Sequence, residues 1–160
     1  MDSRERHEAA IVSHYERVWG ATGTVRRWSH GPAHELPGAF RVLEFSPNDR
    51  RQMWTYATAG MSQPEDEGRL EVHIFSKEQV EGIVELLTAV AHYHRTGSTL
   101  GLGHSVNFGR AWIPGSKCDY GLISLPYLDG PSLEVLDCGD GVSVQCLWLI
   151  PITLAERRFK

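Results

Sequence analysis

The segment from Gly103 to Pro131, GHSVNFGRAWIPGSKCDYGLISLPYLDGP, cannot be a single helix, and that restricts what the rest of the chain can build around it. Gly103, Gly109, Gly115, Gly121 and Gly130 are interspersed with Pro114, Pro126 and Pro131. Glycine enters φ > 0 without steric cost and proline holds φ at roughly −65°, so this density encodes tight turns. Leu122, Ile123 and Leu125 supply an apolar run that reads as a strand, closed by Pro126 where a ladder donor is no longer needed. The segment is thus a shaped loop feeding a strand.

The elements on either side follow from periodicity. Ser3 to Trp19 is an amphipathic helix, with Ile11, Tyr15, Val18 and Trp19 on one stripe, Arg4, Glu5, Glu8 and Glu16 outside it, and Gly20 and Gly23 as its stop. His14 falls at the edge of that stripe and reads as structural. Strands are expected at Thr24–Ser29, Phe40–Phe45 and Gln52–Ala57, separated by Gly31-Pro32, Pro37-Gly38 and Ser46-Pro47-Asn48-Asp49 turns. The last of these turns predicts an antiparallel hairpin. Ser62 to Gly68 reads as an exposed acidic loop.

Leu70, Val72 and Ile74 alternate with Glu71 and His73, the pattern of a half-buried strand whose second face meets solvent or a covering helix. Ser76-Lys77-Glu78-Gln79 has capping-box spacing, predicting a helix from there to about Arg95. Val80, Ile83, Val84, Leu87, Val90 and Ala91 would form its apolar stripe, and Gly97 its cap. His92 and His94 lie two apart on that helix and point in different directions, so no shared metal ion is expected. Ser132–Leu136 and Val142–Ile150 are the last strands. In the final one the second face changes from Ser143 and Gln145 to Leu147 and Leu149, the mark of a strand entering the middle of a sheet. Thr153 to Glu156 forms another capping box.

Two long helices among strands that mostly follow one another directly predict one α+β domain over 1–160, a mixed, largely antiparallel sheet with the two helices packed on it. With 41% hydrophobic and 22% charged residues and a formal net charge of −4, the chain has the composition of a soluble globular protein and lacks the basic balance of a nucleic-acid binder. No apolar run approaches the roughly 20 residues of a membrane span, and MDSRERHEAA is no signal peptide, so a cytoplasmic location is expected. Cys118, Cys138 and Cys146 have neither even number nor paired spacing, which argues against a disulfide framework or a zinc site and for free thiols. No cofactor is expected.

Four ordered blocks resemble the suppressor-of-fused family. They are His104 to Arg110 (HSVNFGR), Trp112 to Asp119 (WIPGSKCD), Leu122 to Tyr127 (LISLPY) and Leu147 to Glu156 (LWLIPITLAE). Residues before His104 match that family only in the order of their elements. The resemblance implies the same α+β class and a protein partner. Animal members hold a transcription factor of the Gli type through a short peptide, partly by strand addition between two domains. This chain has the length of one domain and is similar to the compact bacterial members, among which immunity proteins of polymorphic toxin systems are thought to be common. Family members commonly continue past the last block, which leaves a truncated or a naturally short C-terminus.

Catalysis needs a nucleophile, a base and an orienting group in reach of one another. His104, Cys118 and Asp119 share the central loop and would be cast in those roles by a small hydrolase or transferase. No nucleophile motif surrounds Cys118, and Gly101-Leu102-Gly103 precedes no helix. Turn chemistry explains the same residues better. Asn107 and Asp119 bind nearby amides, Gly109 and Gly115 admit φ > 0, Pro114 shapes the turn, Trp112 with Ile113 plugs the loop onto the core, and Arg110 pairs with Asp119 or Asp129 or spans the loop by bonding carbonyls. His104, Asn107, Gly109, Pro114, Gly115, Cys118, Asp119 and Trp148 are accordingly structural motif residues. Aromatic and Arg residues anchor interfaces, so Trp54, Tyr56, Arg110, Trp112 and Tyr127 are the candidates for partner contact, with core packing the competing role for Trp54 and Tyr56. The preferred reading is a non-enzymatic protein-binding module that neutralises a toxin domain by steric occlusion. An adaptor capturing an extended peptide is the alternative, and the hydrolase or transferase the second alternative.

Overall fold

The structure is a computed structural model that describes residues 2–159. Helix α1 spans Ser3–Trp19. The Asp2 side chain accepts the Glu5 amide at 2.8 Å and Glu5 returns to the Asp2 amide, a capping box, while Gly20 closes the helix in the left-handed conformation. Strands β1 (Thr24–Arg26), β2 (Arg41–Phe45), β3 (Trp54–Ala59) and β4 (Leu70–Ser76) follow, with one 3₁₀ turn at Gly31–Glu35. Helix α2 (Gly82–Thr96), β5 (Ser105–Asn107), β6 (Tyr120–Ser124), α3 (Pro131–Glu134), β7 (Val135–Gly139), β8 (Val142–Ile152) and α4 (Leu154–Phe159) complete the chain.

The strands form one mixed sheet in the order β1-β2-β3-β4-β8-β6-β5, with β7 also paired to β8. The β4–β8 pairing is parallel and the others between named strands are antiparallel. This is the expected α+β class. Period-two alternation sends neighbouring residues to opposite faces. Val42, Tyr56, Val72, Ile74, Leu147 and Leu149 pack with α2, whereas Leu43, Phe45, Ala57, Val144 and Cys146 pack with Ile11, Tyr15 and Trp19 of α1. Ser143 and Gln145 are exposed and Leu147 and Leu149 buried, so β8 does pass from a solvated start into the sheet centre.

Several local expectations change. The strand at residues 70–76 is buried throughout and not half-buried, with the covering helix of the two alternatives realised by α1 on the face of Glu71 and His73. On α1 itself His7, Glu8 and His14 are buried, with Glu8 turned inward and not to solvent. His14 bonds the Leu133 carbonyl through Nε2 at 2.8 Å, a structural role. Within the acidic loop Ser62 and Gln63 are buried, since Glu71 gathers donors from that connection.

No capping box forms at Ser76. It remains in β4 opposite Trp54, its hydroxyl donates to the Glu78 carbonyl at 2.7 Å, and the helix starts only at Gly82. Residues 132–134 are a short helix instead of a strand, and β1 ends at Arg26, short of Ser29. Thr153 and Glu156 do form their reciprocal cap, at 2.9 and 3.2 Å. Among the described residues no helix is long and apolar enough to cross a membrane.

Candidate protein-binding surface

The central loop extends the β5–β6 pairing. Gly103 donates to the Ile123 carbonyl at 2.8 Å, Phe108 to that of Asp119 at 2.9 Å, and Trp112 to that of Cys118 at 3.0 Å, so the two limbs run side by side to a tip at Ile113–Ser116. Asn107 accepts the Gly109 amide at 2.8 Å, and Gly109 and Gly115 have φ of 75° and 83°, conformations that favour glycine. Asp119 contributes its main-chain carbonyl to this ladder. Trp112 and Ile113 are half-buried against the α2 side of the core.

His104 is exposed and its Nδ1 accepts the Gly101 amide at 3.1 Å. Cys118 is a half-buried free thiol whose amide bonds Ser116 Oγ. No hydrogen bond joins His104 to Cys118, so the loop holds no assembled nucleophile and base. Arg110 reaches neither Asp119 nor Asp129; it pairs with Glu85 of α2. Tyr56 is fully buried and its hydroxyl accepts the Val80 amide at 3.1 Å, which makes it a strap between β3 and the approach to α2. Trp54 is half-buried against the same core. Of the five candidates for partner contact, Arg110 lines a depression with Trp28, Glu85 and Phe108, whereas Trp112 lines a separate one and Tyr127 is exposed near it.

Two depressions adjoin there, with Met53 in the wall of both. One is an apolar groove of about 510 Å³ between Met53, Phe75, Trp112, Ile113 and Pro114, with Lys77 and Glu78 at its rim. The other is a polar pit of about 310 Å³ lined by residues that include Arg50, Arg51, Asp129 and Ser132. Leu128 also lines the pit and is 54% exposed, and Tyr127 beside it is 72% exposed.

The wall of the pit is rigidly built. Arg51 donates to both oxygens of Asp129, Trp19 donates its indole N–H to the same carboxylate at 3.1 Å, and the Arg51 guanidinium lies 4.5 Å from the centre of the Phe75 ring. Phe75 in turn meets Trp148 edge to face, with ring centres 5.7 Å apart. Sequence reasoning missed Arg50, Arg51, Met53 and Asp129. An Arg-Arg pair following a hairpin turn was the one local signal for them.

A family profile for suppressor of fused protein matches residues 37–160. The chain belongs to the suppressor-of-fused family. A suppressor-of-fused homologue from Neisseria gonorrhoeae FA 1090, known from a crystal structure, is 29% identical, with a TM-score of 0.81 over 97% of this chain and 82% of that one. A chain of the Sufu–Fu complex, known from a crystal structure, is 17% identical, with a TM-score of 0.68 over 95% of this chain and 78% of that one, and shares the fold. No curated protein sequence matches the chain.

Beneath the surface of this suppressor-of-fused domain two titratable side chains are sealed between α1 and the sheet. Glu71 accepts from Thr58 Oγ1, the amides of Gly60, Met61 and Ser62, and Ser62 Oγ, at 2.6 to 3.3 Å. Burial pushes its carboxyl up to about 7, against the pull of those hydrogen bonds. Because the Ser62 hydroxyl proton points to Glu71, its oxygen accepts from His7 Nε2 at 2.9 Å, linking α1 to the cluster. His73 stacks edge to face with Trp19 and Phe75, and neither ring nitrogen has a hydrogen-bond partner. Burial holds it down at about 3, so the ring is neutral at ordinary pH.

Proposed function

We propose that this chain is a non-enzymatic protein-binding module of the cytoplasm whose partner is a toxin domain, neutralised by steric occlusion. The observation that carries the binding reading is the face on which the apolar groove at Trp112 adjoins the pit at Arg51 and Asp129, with Tyr127 and Leu128 exposed beside them. Aromatic, Met and Arg side chains around an apolar centre are the composition of interface cores. The Sufu–Fu complex, a fold relative, supports a protein partner. Trp112 and Tyr127 are the anchors on this reading.

Capture of a bare extended peptide by strand addition is less favoured, because the strands at the ends of the sheet order, β1 and β5, are each 3 residues long and β7, paired to β8, is 5, so each offers a short ladder. The test is co-purification of the tagged protein from its own cells at moderate salt, followed by coexpression. One stoichiometric partner with a toxin-like catalytic domain, whose lethality is relieved by wild type and not by Trp112→Ala with Tyr127→Ala, supports the proposal. Recovery of unrelated proteins sharing a linear motif replaces it with the adaptor reading. Turnover that is lost in Cys118→Ser overturns it.

A further inference from the structure

We infer that the pit beside Arg50 receives an acidic side chain of the protein partner, seated next to an apolar residue that packs on Met53 and Leu128. The inference rests on the protein-binding reading and names the partner chemistry at that surface. Its basis is an imbalance of charge. Arg50 and Arg51 both line the pit and Asp129 is the carboxylate in its wall. Asp129 is already committed, because Arg51 grips both of its oxygens and the Trp19 indole adds a third hydrogen bond. Arg50 has its amide on Asn48 Oδ1, but its guanidinium has no hydrogen bond or ion pair among the described residues. One positive charge is therefore left open on a protein whose formal net charge is −4.

That guanidinium lies against the end of α1. A Cβ placed on Gly20 would overlap its Nη1 atom, so the bare glycine that caps α1 leaves the room in which it lies. The partial negative charge at the end of α1 favours a cation there. Ser46, Asn48 and Ser132 line the same pit and supply polar atoms for a carboxylate to share. A volume of about 310 Å³ suits a side chain and its neighbour. Met53 joins the pit to the apolar groove, so an acidic group and an apolar group adjacent in the partner find their matches side by side. Lys77 on the groove rim adds positive charge and Glu78 opposes it.

The probe is acetyl-Leu-Glu-amide, titrated to millimolar concentration into the full ¹⁵N-labelled chain, with the Trp19 indole N–H resonance as reporter of the pit wall. We expect a saturable shift that is at least several-fold weaker with acetyl-Leu-Gln-amide and absent in Arg50→Gln, whose thermal midpoint stays at the wild-type value. Equal shifts from the two peptides, shifts that survive Arg50→Gln, or no saturable shift overturn the inference. Tighter binding of inorganic phosphate than of the acidic peptide assigns the pit to a free anion and overturns it as well. The protein-binding reading fails separately: a partner retained in full by Arg50→Gln removes the acidic contact and leaves the binding module standing.

Discussion

Arg51 and Asp129, 78 residues apart in sequence, meet in a two-point ion pair with N···O distances of 3.0 and 2.6 Å. The pair clamps the end of the β2–β3 hairpin to the loop before α3. Its side chains are 19% and 7% exposed, so solvent screens it only in part. Asp129→Ala strands the Arg51 guanidinium and the Trp19 indole together, and should cost about 2–4 kcal/mol in urea unfolding. Replacing both partners, by Arg51→Met with Asp129→Leu, should cost less than the sum of the single changes, the signature of a coupled pair.

His73 is sealed with both ring nitrogens unpartnered, a polar burial that an apolar ring of similar shape relieves. His73→Phe should therefore match or exceed wild-type stability at pH 7. The acid limb separates the two proteins further. The histidine is depressed from 6.5 to about 3 by burial, so its neutral form supports the fold above pH 6.5, and that support drains away as the pH falls toward 3. Urea midpoints between pH 7 and 4 should fall more steeply for wild type than for His73→Phe.

Glu71 works in the opposite sense. Its carboxyl is raised from 4.5 to about 7 by burial, so its contribution is complete below pH 4.5 and is lost as the pH rises through 7. The swing is on the order of 3 kcal/mol, from about 1.4 kcal/mol per pKa unit. Glu71→Gln should flatten the stability profile between pH 5 and 8 while lowering stability at pH 5, because the amide cannot accept all the donors from residues 58–62. A parallel profile for wild type and variant would overturn the assignment.

Gly121 on β6 faces the Phe108 ring and Leu149, which a Cβ would meet at 2.5 and 2.6 Å. Gly121→Ala should destabilise by about 1–3 kcal/mol through overpacking, read as a lowered thermal midpoint. The amide pattern of β6 and β8 should persist by hydrogen exchange, since the crowding lies in side chains.

Where the chain carries its own period, the elements were legible. Ile11, Tyr15 and Trp19 give α1, and the change from Ser143 and Gln145 to Leu147 and Leu149 gives the central strand, because both patterns report burial directly. Ser76 was misleading for a physical reason: its spacing to Gln79 fits a capping box, but strand pairing with Trp54 holds it in β4. For the face of Glu71 and His73 the alternation left solvent and a covering helix both open, because nothing local says which element will reach it; the helix is α1. The proposed binding surface was half visible. Trp112 and Tyr127 stand in recognisable motif blocks, whereas Arg50, Arg51 and Asp129 become a site only when the hairpin and the loop before α3 meet.

The parallel register between β4 and β8, Leu70 with Gln145 through His73 with Trp148, has a consequence for biosynthesis. A chain made from its N-terminus can zip β1 to β4 as successive neighbours while the ribosome is still working. The β4 edge then waits, its amides and carbonyls uncovered, until the codons for residues 142–152 have been translated. During that interval the nascent protein exposes a strand that the finished fold buries along its whole length, and a pause late in the message would lengthen the time for which that edge stays open.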